Sequence, residues 1–299
     1  MFLRMLVPLD GSRLAEAALP AATRLALLTR CSATLLHVIE KRPPATIHGD
    51  THLRDVDRAE EYLGGVAARL RGAGVSVQTH VHTVPRGDVP RCIAEHAGEL
   101  EQDLIVLCRH GAGGLRRFVF GSNAEQVLTH GATPVLLIQA GEEGAAKPFG
   151  PHRILALVDK TPATRPALAM AAELASLAGC ALHLLSVVTT ADAMTGEEAM
   201  VGRLVPGTTR QLLDLITEEE TLFLQEEVNR LGSSGVAVNA AVERGDAGAR
   251  LVEASRETGA DLVVAAARGS AGLSAFWNDA LTRKVAEAYD GALLLIPRG

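Results

Sequence analysis

A glycine-rich segment in the first half of the chain has residue types that suit the binding of an anion. It reads "CRHGAGGLRRFVFGSNAEQVL" (residues 108–128) and follows the apolar run "DLIVL". Gly111 and Gly114 allow a ligand to approach the backbone closely, and Gly121 and Ser122 precede a segment with a helical pattern. A helix start offers free N–H donors and a partial positive charge. The segment predicts a phosphate-binding loop, although a plain turn with Ser122 as the helix N-cap has the same pattern.

Two widespread nucleotide-binding motifs are missing from the sequence. No G-x-x-x-x-G-K-[ST] is present, so the segment is not a P-loop. The first apolar run is followed by "DGSRLAE" rather than by the G-x-G-x-x-G turn of dinucleotide-binding domains. The remaining candidate for a nucleotide site is the loop that ends at Gly121 and Ser122.

Composition limits the class of protein. The 299 residues suit two domains of about 150 each, and 47% of them are hydrophobic while only 3% are aromatic. The net charge is −6 with no Lys/Arg block, which argues against a nucleic-acid-binding surface. No apolar run approaches the roughly 20 residues of a membrane span, and "MFLRMLVPLDGS" favours a first strand over a signal peptide. Four scattered cysteines without a CxxC pair favour a reduced, cytoplasmic protein.

The chain contains two copies of one pattern. A shift of 149 positions superposes "RCSATLLHVIE" on "GCALHLLSVVT" and Asp10 on Asp159. A shift of 158 superposes "RGDVPRCIAEHAGELEQDLIVL" on "RGDAGARLVEASRETGADLVVA", and with it Asp103 on Asp261. The second copy therefore has nine extra residues, which we expect in the polar segment at 190–209.

We expect a first domain at residues 1–141, a linker at 142–150 and a second domain at 151–299. Both copies alternate strands and helices, a pattern typical of an α/β fold with a doubly wound parallel sheet and helices on both faces. In the first copy, helices are expected at about 13–29 and 53–71, with a shorter helix capped by Asp88. Ligands of such sheets bind at the carboxyl ends of the strands, where the strand order reverses.

Five motifs together resemble the universal stress protein family. They are "LVPLDGS" (residues 6–12), "LLHV", the Gly-Asp pair at 87–88, Gly111 with nine residues before Gly121 and Ser122, and "TPVLLI". They occur in the family's order, and the resemblance covers both halves. The chain is thus similar to a tandem universal stress protein.

The resemblance implies two flavodoxin-like or adenine-nucleotide-hydrolase-like domains, each with a five-stranded parallel sheet in the order 3-2-1-4-5. Many members bind ATP with Mg or Mn on its phosphates, and others bind no nucleotide. The positions that match the family's nucleotide site are Pro8, Asp10, Val38, Leu107, Cys108, Gly111, Gly121, Ser122 and Asn123. The first three would flank adenine and ribose, Leu107 would line the pocket, and the last four would hold the phosphates.

Cys108 departs from the family pattern, which has a glycine there. We expect this side chain to crowd the ribose and to weaken or retune nucleotide binding. A thiol at this position also suggests redox sensing, with Arg109 or His110 as a thiolate-stabilising neighbour. The simpler interpretation is an inert, small hydrophobic side chain.

The second copy departs further from the family pattern. Its residues opposite Cys108, Gly111, Gly121 and Ser122 are Ala266, Gly269, Asp279 and Ala280. A carboxylate at the helix start competes for the N–H groups and repels phosphate. We predict that this half has lost ordinary ATP binding, although Asp159 leaves room for a remnant pocket.

Other polar residues admit two interpretations each. Arg116 and Arg117 either reach a phosphate or form a solvated loop face, and His37 is expected to be buried and hydrogen-bonded rather than a catalytic base. His80 and His82 lie on one face of a strand, which permits a metal site, but the sequence indicates no third ligand.

The favoured function is a non-catalytic, ATP-binding protein of a stress response or signalling pathway, with the nucleotide in the first domain. The alternatives are a slow ATP hydrolase that uses Asp10 and an interaction scaffold that binds no nucleotide. We expect neither nucleic acid nor membrane as a partner. The apolar last strands "VLLI" and "LLLI" need cover. In the resembling family the last strand mediates dimer contacts, so the resemblance implies an internal pseudo-dimer of the two copies and leaves a homodimer open.

Overall fold

The structure is a computed structural model that describes residues 2–40, 46–47, 49–83, 88–109, 122–160, 164–190, 206–233, 235–267, 285 and 288–297. The chain divides into two compact units. Residues 1–150 and the C-terminal segment 292–299 belong to the first unit, whereas residues 151–267 belong to the second. Within the described residues, no helix has the length and apolarity to cross a membrane.

The first unit is built on a parallel sheet. Its strands are β1 (Arg4–Pro8), β2 (Ser32–Ile39), β3 (Thr46–Ile47), β4 (Asp50–Thr51), β5 (Val77–Thr83), β6 (Leu104–Arg109) and β7 (Val135–Gln139). Its helices are α1 (Arg13–Glu16), α2 (Leu19–Thr29), α3 (Val56–Gly72), α4 (Val89–Glu99) and α5 (Ser122–His130). The main strands follow the order β5-β2-β1-β6-β7, and β3 pairs with β4 in a separate hairpin. This is the predicted 3-2-1-4-5 order, which confirms the doubly wound fold.

The second unit repeats this plan. Its strands are β8 (Arg153–Val158), β9 (Ala181–Val188), β10 (Val238–Arg244) and β11 (Leu262–Ala267), and its helices are α6 (Thr164–Ala178), α7 (Pro206–Gly232) and α8 (Ala247–Thr258). All pairs in the order β10-β9-β8-β11 are parallel.

The last strand of the second copy, β12 (Ala292–Pro297), belongs to the first unit. It runs antiparallel to β7, with Leu294 opposite Leu136. Both leucines are 1% exposed. This pairing covers the apolar last strand of each copy with that of the other, and it fits the predicted pseudo-dimer.

The core of both units consists of short aliphatic side chains. The inner strand β6 buries Leu104, Ile105 and Val106 completely, because helices cover both faces of the sheet. Alanines on α2 and α6 are also fully buried, among them Ala21 and Ala171. Small alanine side chains let the helices pack closely on the sheet, which suits a chain with so few aromatic residues.

Two helices differ from the sequence-based expectation, and one predicted helix cap is confirmed. The helix expected at 13–29 is two helices, because Pro20 lies in the first turn of α2 and has no N–H for the carbonyl four residues earlier. The helix expected from residue 53 begins at Val56. Asp55 is its N-cap, because the Asp55 carboxylate accepts a hydrogen bond from the Arg58 N–H (2.9 Å). The predicted cap by Asp88 is confirmed, since its carboxylate accepts from the Arg91 N–H at 3.2 Å.

The extra length of the second copy appears in a helix. Helix α7 has 27 residues, whereas its counterpart α3 has 17. Most of the segment at 190–209, where we expected the extra residues, lies outside the described part of the chain. The longer crossover helix therefore contains some of the extra residues that distinguish the second copy from the first.

Candidate functional site

The strand order of the first unit reverses between β1 and β6. Strand β1 pairs in parallel with both β2 and β6. The chain leaves β1 toward β2 on one side and leaves β6 toward β7 on the other, so the two carboxyl ends flank a crevice. The predicted residues Asp10 and Cys108 lie at these two ends.

Asp10 is held in a defined orientation directly after β1. Its Oδ1 accepts hydrogen bonds from the backbone N–H of Ser12 (2.9 Å) and from the Ser12 hydroxyl (2.6 Å). Ser12 is completely buried and caps α1 by accepting a hydrogen bond from the Ala15 N–H at 3.1 Å. The carboxylate is thus fixed at the crevice by the same serine that starts the next helix.

Gly11 allows the sharp turn between these residues. Its φ of +89° lies in the left-handed region that favours glycine. A Cβ on Gly11 would lie 2.9 Å from Cγ of Leu53. The turn after β1 and the segment after β4 therefore pack directly against each other.

The β3–β4 hairpin is a part of the site that the sequence did not indicate. Asp50 of β4 accepts a hydrogen bond from the backbone N–H of Arg13 (2.9 Å), and its carboxylate lies 3.6 Å from the Arg13 guanidinium. These contacts bring residues 50–53 to the carboxyl end of β1. Strands of two residues have no detectable periodicity, so only the glycine at position 49, with φ +89°, marks the turn.

Two buried histidines line this region. Nδ1 of His37 donates to the Leu9 carbonyl (2.7 Å), and its Nε2 lies 3.3 Å from the Leu53 carbonyl. This confirms His37 as a buried, hydrogen-bonded residue. His52 is 5% exposed, its ring lies edge-on 6.3 Å from that of His37, and its buried Nδ1 has no hydrogen-bond partner among the described residues.

The apolar residues predicted for the site come to the same edge. Val38 is buried near the end of β2, whereas Pro8, Leu107 and Cys108 are half-buried at the ends of β1 and β6. Burial raises the pKa of the Cys108 thiol to about 12, and the charge of Asp10 acts in the same direction. The thiol is therefore protonated at neutral pH.

The phosphate-binding part of the prediction is only partly within the described residues. Ser122 and Asn123 form the first turn of α5, as a helix-terminus site requires. Gly111 and Gly121 lie outside the described residues, as do Arg116 and Arg117. The same holds for Gly269, Asp279 and Ala280 of the second copy.

The corresponding edge of the second unit has its polar groups bonded within the protein. Oδ1 of Asp159 accepts a hydrogen bond from the Thr164 hydroxyl at 2.5 Å. The next residue, Lys160, forms ion pairs with Glu219 (3.0 Å) and Glu220 (3.4 Å) of α7. Lys160 thus belongs to an internal charge network and occupies the position that is equivalent to Gly11 of the first unit.

A doubly wound fold with a polar crevice at its switch point defines a large class of α/β proteins, and comparison with known proteins narrows it. The sequence profile of the universal stress protein family matches twice, at residues 1–139 and 151–297. The chain therefore belongs to the universal stress protein family, with two copies of its domain in tandem.

Individual relatives agree with this assignment. A universal stress protein of Staphylococcus aureus strain USA300 is 29% identical over 143 residues, which are 46% of this chain and 84% of that protein. The crystal structure of a universal stress protein from Archaeoglobus fulgidus has a TM-score of 0.70 at 18% identity, covering 99% of this chain and 96% of that one. One from Pseudomonas aeruginosa UCBPP-PA14 has a TM-score of 0.65, also at 18% identity, covering 99% and 93%. These solved structures show that the fold extends over the whole chain.

Proposed function

We propose that the first domain binds an adenine nucleotide, with ATP as the reference ligand, between the carboxyl ends of β1 and β6. In this proposal nucleotide occupancy serves a stress-response or signalling role, without catalysis. The observation that supports it most is the Asp10 carboxylate, fixed by Ser12 at the switch point opposite Leu107 and Cys108. Ligands of open α/β sheets bind at this position.

The described residues offer suitable chemistry for each part of a nucleotide. Val38 and Leu107 supply apolar surface for an adenine ring, and Asp10 can accept hydrogen bonds from ribose hydroxyls. The N-terminus of α5 provides N–H donors and a partial positive charge for the phosphates.

A divalent cation would accompany the phosphates. Mg or Mn bound to them would neutralise part of their charge, and such hard cations prefer oxygen ligands. The protein ligands of such a cation stay open in this proposal, because Asp10 is assigned to the ribose.

The second domain is proposed to bind no ATP in the ordinary way. Asp279 stands where the first copy has Gly121, and its carboxylate would repel a phosphate. The internal bonds of Asp159 and Lys160 at the second edge are consistent with a structural role.

Isothermal titration calorimetry with Mg-ATP tests the proposal. We expect one site per chain, a loss of at least tenfold in affinity in Asp10→Ala, and abolished binding in Gly121→Val. The matched variant Asp159→Ala, at the equivalent position of the second copy, should bind like the wild type. No heat at millimolar ATP would contradict the proposal and favour the interaction scaffold, while sensitivity to Asp159→Ala alone would move the site to the second domain.

Release of phosphate decides between the binding protein and the slow hydrolase. We expect no phosphate above background from purified protein incubated with Mg-ATP. Steady release that disappears in Asp10→Ala would instead show that this carboxylate takes part in hydrolysis.

A further inference from the structure

Three histidines meet on the first unit, away from the β1–β6 crevice. His80 and His82 lie on one face of β5, and His96 lies on α4. The ring centroid of His96 is 5.2 Å from that of His80 and 4.3 Å from that of His82. One ligating nitrogen from each ring can be chosen so that all three lie within 4.8 Å of one another. The fold therefore supplies the third ligand that the sequence did not indicate.

We propose that His80, His82 and His96 form a binding site for a divalent transition-metal ion, with zinc as the best match. Three neutral imidazoles and an open fourth position are a common zinc ligand set. Imidazole also suits copper, nickel and iron, whereas calcium and magnesium prefer oxygen ligands. The proposal concerns a site separate from the nucleotide crevice and does not depend on nucleotide binding.

His96 makes the kind of second hydrogen bond that metal-ligating histidines usually make. Its Nδ1 donates a hydrogen bond to the backbone carbonyl of Cys92 at 2.9 Å. This hydrogen bond places the proton on Nδ1 and leaves the lone pair on Nε2, which points away from the Cys92 carbonyl. A histidine ligand usually makes such a bond with its other ring nitrogen, because the bond fixes the tautomer and the ring orientation. His96 is 6% exposed, so its surroundings hold the ring in place.

Cys92 is adjacent to the cluster but lies on the wrong side of His96 to be a ligand. Its Sγ is 3.6 Å from Nδ1, the nitrogen that already bonds to the backbone. A metal ion on Nε2 would be on the opposite edge of the ring. We therefore assign the site to the three imidazoles alone.

A small adjustment of two side chains completes the geometry. Nitrogen ligands at about 2.0–2.1 Å from zinc in a tetrahedral site are roughly 3.3 Å apart. The present separations of up to 4.8 Å must shrink, and His80 and His82 have room to rotate because they are half-exposed. Their exposure also leaves the fourth position accessible to water. Glu95 and Glu99 on α4 act electrostatically on this pair and would favour a cation.

The site lies one strand beyond the nucleotide edge. His82 on β5 is in register with Val38 on β2, and β2 separates β5 from β1. No residue of the histidine cluster belongs to the proposed nucleotide site. Metal binding and nucleotide binding can therefore be tested separately in one protein.

Titration of tag-free protein with Co²⁺, in the presence of a phosphine reductant, tests the proposal by visible absorption. We expect one equivalent with the absorption bands of a tetrahedral site, displaced by one equivalent of Zn²⁺. His96→Gln and His82→Gln should each weaken Zn²⁺ binding at least tenfold, whereas Asp10→Ala should have no effect. His130→Gln is the matched control, because His130 is an exposed histidine at the end of α5 in the same unit.

Two outcomes would overturn the assignment. Zn²⁺ affinity that is unchanged in His82→Gln would exclude the cluster, and since His82 is half-exposed this variant should remain folded. Loss of binding in Cys92→Ser would replace the proposed ligand set by one that includes the thiol. The thermal midpoint gives a second readout. Zn²⁺ should raise the midpoint of the wild type but not that of His82→Gln, because a ligand that binds the native state stabilises that state.

Discussion

At the residue scale, Cys108 shows how its surroundings decide between two interpretations of one side chain. Its thiol donates to the Ile138 carbonyl, with Sγ 3.4 Å from the oxygen. Burial raises its pKa to about 12, although Arg109 acts in the opposite direction. A reactive cysteine needs a thiolate near neutral pH. The structure therefore favours the inert hydrophobic side chain over the redox sensor.

Cys108 should resist alkylation in the native protein at pH 7.5. We expect iodoacetamide to label it at least tenfold more slowly than in the unfolded chain, because the thiol stays protonated and partly buried. Peptide mass spectrometry after timed quenching measures this. Native labelling at the rate of the unfolded chain would restore the redox hypothesis.

Cys108→Gly should strengthen ATP binding about three- to tenfold. The substitution removes the side chain that we expect to crowd the ribose. It should lower the free energy of unfolding by roughly 0.5–1 kcal/mol, because glycine destabilises a strand. Calorimetric titration with Mg-ATP measures the gain. Ala266→Gly, at the equivalent position of the second copy, should leave the affinity unchanged.

Gly11→Ala should destabilise the protein more than Gly74→Ala does. Both glycines have φ near +90°, at +89° and +90° respectively, so both substitutions incur about 1–2 kcal/mol of backbone strain. A Cβ on Gly11 also meets Leu53 at 2.9 Å, whereas one on Gly74 is 3.8 Å from Leu27. We expect about 1 kcal/mol or more of additional loss in urea unfolding. Partial recovery in a Gly11→Ala/Leu53→Ala double variant would confirm the contact as the cause.

At the element scale, the repeated aspartates at 103 and 261 each join the start of one strand to the start of its neighbour. The carboxylate of Asp103 accepts hydrogen bonds from the N–H groups of Leu3 (2.7 Å) and Arg4 (3.1 Å) at the start of β1. Asp261 accepts equivalent bonds from His152 (2.9 Å) and Arg153 (3.2 Å) at the start of β8. The coincidence of these aspartates in the two copies thus has a structural reason.

Asp103→Ala should lower the free energy of unfolding by about 1–3 kcal/mol, since it removes a charged acceptor of two backbone N–H groups. Asp261→Ala should have a similar effect on the second unit. Chemical denaturation monitored by circular dichroism measures both. Asp103→Asn keeps one oxygen acceptor and should cost less than Asp103→Ala; an equal cost would show that the contact is not what stabilises the strand.

At the scale of the whole molecule, the C-terminal strand links the two copies of the repeat. Strand β12 is the last strand of the second copy in the sequence but pairs antiparallel with β7 of the first. Without β12, the apolar strand β7 would be an exposed edge of the sheet, and such an edge can pair with strands of other chains. The pairing explains why two such apolar strands are tolerated in one protein.

Leu294→Lys should release β12 and promote self-association. Leu294 is 1% exposed, and a buried, unpaired ammonium is strongly disfavoured. Light scattering after size exclusion should show a mass that rises with concentration, together with a lower thermal midpoint. The matched control is Leu3→Lys, because Leu3 is 68% exposed in the same unit. Similar behaviour of the two variants would contradict the proposed role of β12.

Much of the architecture follows from patterns along the chain. The repeat, the alternation of strands and helices, the cap at Asp88 and the position of Asp10 after β1 are local properties of the sequence, and the structure bears them out. The 3-2-1-4-5 strand order came from the family resemblance and is confirmed. Local signals suffice for these features because burial repeats with the period of each element.

Contacts between distant segments could not be inferred in this way. The sequence places His80 and His82 on one strand face, but only the docking of α4 brings His96 to them. Likewise, the β3–β4 hairpin reaches Gly11 through Leu53, and β12 pairs with the first copy. Periodicity reports which face of an element is buried, whereas the partner on that face is set by packing between elements. Residue types thus define the nucleotide-binding hypothesis, and the three-dimensional packing creates the histidine cluster.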